Sequence, residues 1–505
     1  MTITVRKGNL VDEKADLLVL NLFAGEKLGG AVAAVNAKLE GLVETIAKED
    51  RFKAALGTTL SIRTNGAIPA KRLLIVGLGD KKRFSEETVR VAAAASLNVA
   101  KAIGARTVVS VLHGAGGGEY AARLCGKAIA EGVLLADYEF ARYKKEPAKE
   151  SPTSFAIVTT DGKKARSAAE GAKLGETYAK ATIFARDLVN APPSHMVPAD
   201  LVEAAKAVVK ASPGMKMKVF NRAQLEKMGA GGLLGIAKGS EHEPFLVHMT
   251  YVPKGSKAEG AKGRELTSVA LVGKAVTFDS GGLSLKPANS METMKCDMAG
   301  AAAVIGAFSV ISELAPNAVV HGIFGAVENM PSGTAVRPGD VLTIMNGKTM
   351  EIKNTDAEGR VTLADTLTYA TRLKPNAIID LATLTGACVV ALGEEITGLM
   401  SNDDALALKV AAAAKSAGEL MWRMPLPEEY KDLIKTDIAD YKNDAPRWGG
   451  SLTAGLLLQE FVNNIPWVHL DIAGPAFAEK PVNAYTKKGG TGHAVRTLLE
   501  YLRAV

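Results

Sequence analysis

The sequence predicts an α/β protein with two domains, each a mostly parallel or mixed sheet flanked by helices. The chain has 505 residues, which is long enough for two or more domains. Hydrophobic residues make up 47% of it and charged residues 23%, as is typical of a globular protein with large cores. Strand-like and helical patterns alternate along it, as in the strand-like residues 72–78 before the helical residues 86–103.

A polar, proline-flanked stretch at residues 143–152 indicates a connector between the two domains. We therefore predict an N-terminal α/β domain over residues 1–160 and a larger C-terminal domain over residues 161–505. A long helical pattern follows the connector and ends before Pro192-Pro193, since proline cannot continue a helix.

Composition argues against several classes of protein. The net charge of +7 is small for this length and the basic residues are dispersed, so nucleic-acid binding is only weakly supported. The three cysteines are far apart and form no CxxC pair, which favours a reducing compartment over a disulfide framework. Residues 1–7 read as a strand, and no apolar run reaches the ~18–20 residues of a membrane span. We expect a cytoplasmic protein with no membrane partner.

One short run, residues 354–360 (NTDAEGR), concentrates charge between a predicted hairpin and a predicted helix. The hairpin turns at Asn346-Gly347, and the helical pattern covers residues 361–373. If the run stays extended, Asp356, Glu358 and Arg360 point to one side, because side chains alternate in a strand. The alternative interpretation is an ordinary helix N-terminus, where acidic residues are favoured and Arg360 pairs with them.

A second set of charged residues lies upstream. Lys274 and Asp279 follow strand-like residues, and Lys286 comes after Ser280-Gly281-Gly282. We predict a helix over residues 291–314 that carries Asp297 among small apolar residues. A buried carboxylate in such a setting is costly unless it is paired or bound to a metal.

Asp279, Asp297, Asp356 and Glu358 are the ligand type that divalent cations prefer. If these four carboxylates meet, two divalent ions about 3.5–4 Å apart would neutralise them and hold a water molecule. The alternative is a set of scattered ion pairs with lysines. None of the seven histidines lies in these runs, so an HExxH zinc site is excluded.

Two glycine-rich segments suggest a competing function, binding of a nucleotide or nucleic acid. Residues 113–118 could bind a phosphate at a helix N-terminus, although they match neither a P-loop nor GxGxxG. Residues 229–235 follow a helical pattern over residues 222–228 rather than a strand, which argues against a dinucleotide fingerprint.

Six segments of the sequence closely resemble the signatures of the leucyl (cytosol) aminopeptidases. They are residues 272–282 (VGKAVTFDSGG), 294–298 (MKCDM), 328–333 (ENMPSG), 354–360 (NTDAEGR), 380–386 (DLATLTG) and 467–474 (WVHLDIAG). The resemblance runs from about residue 186 to residue 496, and the first ~150 residues resemble the family's variable N-terminal domain only in pattern. It implies a catalytic metallopeptidase domain at 161–505 and a regulatory or oligomerisation role for 1–160.

The resemblance also implies roles for single residues. It implies that two divalent ions are bound by Lys274, Asp279, Asp297, Asp356 and Glu358. The implied metals are zinc or manganese, with magnesium or cobalt as candidates for an exchangeable position. Lys274 would bind as a neutral amine. Lys286 would polarise the scissile carbonyl and stabilise the oxyanion, and Arg360 would hold a bicarbonate ion as general base. The substrate's free α-amine would bind one metal, which explains cleavage at the N-terminal residue only.

The implied substrate-binding residues are Met294, Asn354, Ala357, Thr383, Leu384 and Gly386. Three departures from the family pattern lie elsewhere: Ala275 replaces a usual glycine, Val361 a common leucine, and His493-Ala494 a usual Phe-Gly pair. The His493-Ala494 departure affects either the shape of the substrate pocket or a subunit contact. The preference for the side chain of the first substrate residue is left open by the sequence.

The leading hypothesis is therefore a dinuclear metal aminopeptidase that acts on short peptides with a leucine-type preference. Relatives in the resembling family form hexamers whose active sites face an interior cavity, so a homo-hexamer is expected. A phosphoester hydrolase with two metals is a weaker alternative, because Lys286 and the family pattern favour acyl chemistry.

Overall fold

The structure is a computed structural model. It describes residues 1–115, 121–146, 150–212, 214–253 and 266–505. The chain divides into two compact units. The first comprises residues 1–180 and 480–487, and the second residues 181–479 and 488–505. The division falls inside one helix, Gly162–Asn190, which ends just before Pro192-Pro193 as predicted.

The first unit holds a six-stranded sheet in the described residues, in the order β1-β6-β5-β2-β4-β3. Every neighbouring pair is parallel except β3 with β4. The strands are β1 Thr2–Lys7, β2 Leu17–Leu22, β3 Thr59–Arg63, β4 Arg72–Gly77, β5 Thr107–Val111 and β6 Ser154–Thr159. The helices are α1 Gly30–Lys38, α2 Leu42–Glu49, α3 Glu86–Ala102, α4 Ala122–Asp137 and the start of α5 Gly162–Asn190. Apolar side chains of this sheet, such as Leu18, Leu20 and Leu73, form its core.

The second unit holds an eight-stranded mixed sheet in its described part, in the order β15-β14-β17-β13-β9-β10-β8-β7. Its strands are β7 Lys216–Phe220, β8 Phe245–Tyr251, β9 Ser268–Asp279, β10 Val319–Asn329, β13 Ala377–Ala382, β14 Thr397–Ser401, β15 Met421–Arg423 and β17 Trp467–Asp471. Short strands outside it are β11 Val341–Thr343, β12 Thr349–Glu351, β16 Tyr441–Lys442, β18 Phe477–Ala478 and β19 Gly489–Gly490. The helices are α6 Pro198–Ala211, α7 Arg222–Met228, α8 Gly231–Ala237, α9 Ala288–Met291, α10 Ala299–Ser309, α11 Ile311–Leu314, α12 Glu358–Thr371, α13 Gly386–Leu392, α14 Asp404–Ala417, α15 Gly450–Gln459 and α16 Val495–Ala504.

Four neighbouring strands of the large sheet run parallel, in the order β17, β13, β9 and β10. Their carboxyl ends therefore meet at one edge of the sheet, which we call the carboxyl edge. Asp471, Ala382, Asp279 and Asn329 are the last residues of these four strands. Ligands of open α/β sheets bind outside such an edge, so the architecture directs attention there.

Several elements agree with the sequence-based expectations. The two-domain α/β fold class is confirmed, with the larger unit at the C-terminal side. The hairpin is confirmed as the antiparallel pair β11 and β12, and Gly347 takes a φ of 88° in its turn. Helix α7 has the predicted bounds. The glycine-rich segment at 113–118 lies outside the described residues from residue 116 onward.

Two predictions about the site segments are wrong. The expected helix over residues 291–314 is broken into α9, a 3-10 turn at Met294–Cys296, α10 and α11, and Asp297 lies between the 3-10 turn and α10. The extended run through Arg360 is also absent, because α12 begins at Glu358 with Ala357 as its N-cap. In both places side-chain hydrogen bonds, described below, redirect the backbone.

Among the described residues, none of the helices combines the length and the apolar content that crossing a lipid bilayer requires. The three cysteines are buried and free, which agrees with the expectation of no disulfide framework.

Candidate metal centre

Strand β9 contributes the first two charged groups. Lys274 lies within the strand and is buried, and Asp279 ends it at the carboxyl edge. Asp279 is held by its neighbours: its Oδ1 accepts hydrogen bonds from the Gly281 amide at 2.9 Å and from Asn329 Nδ2 at 2.8 Å. The end of β10 thus orients the carboxylate that ends β9.

A tight turn after β9 brings Lys286 back to Asp279. Gly281 and Gly282 have φ values of 86° and 61°, a region that favours glycine because it lacks a Cβ. The Lys286 amide donates to the Ser280 carbonyl oxygen at 2.9 Å, which closes the turn. Lys286 Nζ then lies 2.9 Å from Asp279 Oδ2 and 2.5 Å from Asp356 Oδ1.

Asp297 faces Lys274 because the chain leaves helical geometry around it. Its Oδ1 accepts hydrogen bonds from Lys274 Nζ and from Thr383 Oγ1, both at 2.7 Å. Helix α10 begins only after this residue and lies directly against the sheet, since a Cβ on Gly300 would stand 2.1 Å from the Leu381 carbonyl oxygen. The small residues after Asp297 thus allow the backbones of α10 and the sheet to approach closely, although Asp297 itself is not helical.

The run at residues 354–360 is shaped by two asparagines. The Asp356 amide donates to Asn354 Oδ1 at 2.9 Å, and the Ala357 amide to the Asn354 carbonyl oxygen at 3.2 Å. Asn443, which follows β16, accepts from the Lys353 amide at 2.8 Å and donates from Nδ2 to the Asn354 carbonyl oxygen at 2.7 Å. These bonds turn the chain so that α12 starts at Glu358. The helix N-terminus interpretation of this run is therefore correct, and it does not prevent the acidic residues from converging.

Three carboxylates meet beside Lys286. Asp279, Asp356 and Glu358 each offer one oxygen, and these atoms lie within 4.8 Å of one another. Asp279 and Glu358 are buried, and Asp356 is half-buried. The sequence-based prediction that acids distant in the chain are neighbours in the fold is confirmed for this triad.

The fourth carboxylate joins them through Lys274. Lys274 Nζ lies 2.7 Å from Asp297 Oδ1 and 2.7 Å from Glu358 Oε1. Lys274 and Lys286 each stand between two carboxylates of this carboxylate cluster, which comprises Asp279, Asp297, Asp356 and Glu358. The scattered ion pairs of the alternative interpretation are thus in fact one connected set.

The lysines do not saturate the carboxylate cluster. Both oxygens of Glu358, Oδ2 of Asp297 and Oδ1 of Asp356 are buried and have no hydrogen-bond partner in the described residues. The contacts of Glu358 with Lys274 and of Asp356 with Lys286 are close enough for ion pairs but fall outside hydrogen-bond geometry. Glu358 Oε1 and Asp356 Oδ1 are thus paired with lysines, whereas Glu358 Oε2 and Asp297 Oδ2 have no hydrogen-bond partner among the described residues. Buried oxygens of this kind are rare, and carboxylate oxygens are the ligands that hard divalent cations prefer. The residues present therefore fit a metal centre.

The electrostatics of the cluster point the same way. Burial, the dominant effect, raises the pKa of Asp297 to about 6, and burial together with the charge of Asp279 raises the pKa of Glu358 well above its ordinary value. Burial lowers the pKa of Lys274, but the charges of Asp297 and Glu358 outweigh it and the pKa is raised. The site therefore holds more protons than the same groups would in water, and a cation that enters must displace them.

The remaining predicted residues surround the cluster on several elements. Met294 lies in the 3-10 turn before Asp297, Ala357 caps α12, and Gly386 begins α13. The Thr383 carbonyl oxygen accepts from Lys274 Nζ at 3.1 Å, which places Thr383 at the cluster. Leu384 approaches it too, because a Cβ on Gly359 would stand 3.1 Å from Leu384 Cδ1.

Arg360 lies in the first turn of α12, two residues after Glu358. Its Nε is buried and has no hydrogen-bond partner among the residues that the structure describes. The electrostatic surroundings of its guanidinium include the carboxylates of Asp444, Glu358 and Asp471. A guanidinium with an unused donor in this position could hold an anion.

Replacing Gly359 by alanine should disable the site. A Cβ there would stand 2.7 Å from both Cε and Nζ of Lys274, so the amine must move away from Asp297 and Glu358. We expect the activity of the site to fall by at least about a hundredfold, because a displacement of about 1 Å at a catalytic group can cost that much. The matched control is Gly333→Ala, where a Cβ meets nothing within 4 Å, so fold and activity should be unaffected. Wild-type activity in Gly359→Ala would contradict this placement of Lys274.

Sequence reasoning missed three residues that support the cluster and one role of a fourth. Asn329 and Asn443 orient Asp279 and the 354–357 segment, Asp471 binds the loop after β13, and Thr383, which was predicted only as a substrate-binding residue, donates to Asp297. Asn329, Thr383 and Asp471 lie in or next to motifs already singled out, so a polar residue at a strand end was the available signal. Asn443 lies in no such motif.

Comparison with known proteins identifies the family. A family model described as "Cytosol aminopeptidase family, catalytic domain" matches residues 183–499, more than half of the chain. The chain belongs to the cytosol aminopeptidase family. The family's N-terminal domain model matches residues 19–147. A "Probable cytosol aminopeptidase" of Alkaliphilus oremlandii is 41% identical over 508 residues, covering 100% of both chains. That of Rippkaea orientalis is 41% identical over 497 residues, covering 97% of both.

Solved structures of similar proteins share the whole fold. A mutant of tomato leucine aminopeptidase has a TM-score of 0.89 and 33% identity, covering 100% of this chain and 97% of its own. The bottromycin maturation enzyme BotP, solved in complex with Mn, has a TM-score of 0.84 and 36% identity, covering 97% of this chain and 99% of its own. The resemblance stated from the sequence is confirmed, and the chain is a metal-dependent aminopeptidase of this family.

Proposed function

We propose that this aminopeptidase removes the N-terminal residue, with a leucine-type preference, from short peptides in the cytoplasm by means of two divalent ions. The observation that supports the proposal is the carboxylate cluster, in which Glu358 Oε2 and Asp297 Oδ2 are buried without a hydrogen-bond partner among the described residues and Lys286 lies against Asp279 and Asp356. The family supplies the reaction class, and the cluster supplies residues for each role.

The two ions would be held by the carboxylate cluster together with Lys274. One position is the triad of Asp279, Asp356 and Glu358, whose oxygens already converge. Lys274 and Asp297, which are in contact with each other and with Glu358 through Lys274, would hold the other ion, and Glu358 could serve either position. Zinc or manganese fits this mixed oxygen and amine donor set, and magnesium or cobalt are candidates for the exchangeable position. When bound, such ions polarise the scissile carbonyl and lower the pKa of a bound water.

Lys286 would stabilise the oxyanion that forms on the scissile carbonyl. Burial alone would lower the pKa of Lys286, but the charges of Asp279 and Glu358 outweigh burial and the pKa is raised. The group therefore remains an ammonium at neutral pH. A fixed cation that faces developing negative charge is worth more in the transition state than in the ground state. Arg360 would hold a bicarbonate ion, which supplies the general base. The buried, unused Nε donor of Arg360 supports this assignment.

The side chain of the first substrate residue would be bound by the segments around the cluster. Met294 would offer apolar surface, Asn354 and Thr383 would offer polar groups, and Ala357 with Gly386 would leave room. The backbone carbonyl of Leu384 would contact the substrate. Since one relative with a solved structure is a bottromycin maturation enzyme, the preference has to be measured across a panel of aminoacyl p-nitroanilides rather than with leucine alone.

The decisive experiment is hydrolysis of leucine p-nitroanilide and of Leu-Gly by metal-depleted protein to which manganese or zinc is added back. We expect activity that depends on the added metal, that chelation abolishes, and that an N-acetylated substrate does not show. A folded protein that stays inactive with both metals contradicts the proposal. Hydrolysis of a phosphoester under the same conditions would favour the alternative of a phosphoester hydrolase.

Assembly and partners are part of the proposal. A homo-hexamer with interior active sites would restrict substrates to short peptides, and light scattering after size exclusion should give six times the chain's 52.8 kDa. A monomer mass would contradict it. Nucleic-acid binding through the +7 charge is weakly supported, and a salt-dependent shift in DNA mobility would test it.

The stabilisation of the protein by manganese should grow with pH. Burial raises the pKa of Asp297 from 3.8 to about 6, so the metal-free folded state binds a proton there that the unfolded state releases. This contribution to folding stability is present at low pH and is lost as pH rises through about 6. Because an ion displaces the proton, we expect the Tm difference between manganese-loaded and chelated protein to increase from about pH 5 to about pH 7.

Thermal unfolding of both forms at several pH values measures this difference. Asp365, whose pKa burial raises to about 7, titrates in the same range in both forms, and its contribution cancels in the difference. A manganese-induced Tm difference that stays constant over this range would contradict the prediction.

A further inference from the structure

The loop that follows β13 touches two of the proposed metal ligands. Thr383 Oγ1 donates to Asp297 Oδ1 at 2.7 Å, and the Thr383 carbonyl oxygen accepts from Lys274 Nζ at 3.1 Å. Both contacts are buried. The position of Thr383 therefore helps to set where Asp297 and Lys274 present their free atoms. The opposite side of the cluster, at Asp279 and Asp356, makes no hydrogen bond with this loop in the described part of the chain and is oriented instead by Asn329 and Asn354.

Asp471 holds this loop in place from the neighbouring strand. It ends β17, pairs with Ala382 at the end of β13, and is fully buried. Its Oδ1 accepts from the amides of Leu384 at 3.2 Å and Thr385 at 3.4 Å, and from the Ala473 amide at 3.2 Å. Its Oδ2 accepts from Thr385 Oγ1 at 2.6 Å. One carboxylate thus accepts hydrogen bonds from two consecutive residues of the loop.

We infer that Asp471 is a positioning residue that sets the affinity of the ion on the Lys274 and Asp297 side, and leaves the ion on the Asp279 and Asp356 side unaffected. The inference rests on the proposed two-ion site and adds a division of labour within it. Partners that orient metal ligands change metal affinity by about 10- to 100-fold when removed, although they never touch the ion.

The chemistry of Thr385 explains why a carboxylate is needed at position 471. Thr385 Oγ1 already accepts from the Cys388 amide at 3.0 Å as the N-cap of α13, so its hydroxyl proton requires an acceptor. Asp471 Oδ2 is that acceptor. In Asp471→Asn, an amide nitrogen facing Thr385 would present a second donor, leaving the hydroxyl proton without a partner. The loop must then shift, and Thr383 with it.

The test is calorimetric titration of metal-depleted full-length protein with manganese. Wild type should bind two ions. Asp471→Asn should bind one of them with wild-type affinity and the other about 10- to 100-fold more weakly. Thr385→Val, which removes the hydroxyl, should show the same selective loss, and Thr385→Ser, which keeps it, should restore wild-type binding.

The matched control is Asp380→Asn. Asp380 is equally buried and lies in β13, where it pairs with Trp467 Nε1 and His469 Nδ1, both at 2.6 Å. Among the residues that the structure describes, it makes no hydrogen bond with the loop. The Asp380→Asn variant should bind both ions as wild type does. If the loss of any buried charge from this sheet weakened ion binding, this variant would show the weakening too.

Three results would overturn the inference. They are wild-type affinity for both ions in Asp471→Asn, equal weakening of both ions in that variant, and equal losses in Asp380→Asn and Asp471→Asn. If Asp471→Asn does not fold, Thr385→Val and Thr385→Ser decide, and equal ion binding by these two overturns it. If wild-type protein does not bind two ions, the proposed function and this inference both fail. If wild type binds two ions, the proposed metal site is supported, whatever the result for Asp471→Asn.

Discussion

Glu358→Gln should abolish peptide hydrolysis and yet leave a metal-free protein that unfolds at no lower temperature than wild type. Glu358 is buried at the start of α12, with neither oxygen in a hydrogen bond, and it lies beside the charges of Asp279 and Asp297. Its pKa is raised because folding disfavours its ionised form. A neutral amide of the same shape removes that repulsion, and Lys274 keeps Asp297 as its partner.

Unlike the unfolding temperature, the peptidase activity of Glu358→Gln should fall steeply. Glu358 is shared by both proposed ion positions, so its loss removes several kcal/mol of transition-state stabilisation, which is at least about a thousandfold in kcat/KM. Manganese should no longer raise the Tm of this variant. Hydrolysis assays and thermal unfolding with and without manganese measure both effects. A variant that keeps wild-type activity, or one that unfolds well below metal-free wild type, would refute this account of Glu358.

Lys286→Gln should lower kcat by about a hundred- to a thousandfold, the usual effect of removing one group that stabilises an oxyanion. Its affinity for manganese should be unchanged or higher. The reason is that Lys286 Nζ lies against Asp279 and Asp356, where it competes with an incoming cation for the same carboxylates. Removing it takes away a competitor and a catalytic group at once.

Separate measurements of kcat, KM and manganese affinity distinguish the two roles of Lys286. The control is Lys353→Gln, because Lys353 lies one residue before the 354–360 run but pairs with Glu351 at 2.6 Å instead of with the cluster. It should behave as wild type. Weaker manganese binding in Lys286→Gln would mean that this lysine organises the carboxylates, and the catalytic assignment would then lose its support.

The parts of this site that depend on sheet geometry were predictable from the sequence. The strand-like run that ends in Asp279 was visible in the sequence and forms β9, whose parallel pairing with β10 brings Asp279 beside Asn329. The hairpin at Asn346-Gly347 followed from turn chemistry alone.

The parts that depend on side-chain contacts from distant segments were not predictable. Nothing local breaks the helical pattern around Asp297, because the break is made by Lys274 and Thr383, which lie 23 and 86 residues away. In the same way, Glu358 begins α12 because Asn443, from another part of the chain, binds the preceding residues. Hydrophobic periodicity is a property of neighbouring residues, and it does not show which distant residues will contact a segment in the folded protein.

Asn443 has a practical consequence for anyone who wishes to alter the specificity of this enzyme by directed evolution. It is fully buried, and its amide group bonds to the backbone at four points between Lys353 and Ala357. Randomised libraries aimed at the loop near it should keep this position fixed. Most substitutions of Asn443 would displace the backbone of residues 353–357 and inactivate the enzyme, so that a change in selectivity could not be measured.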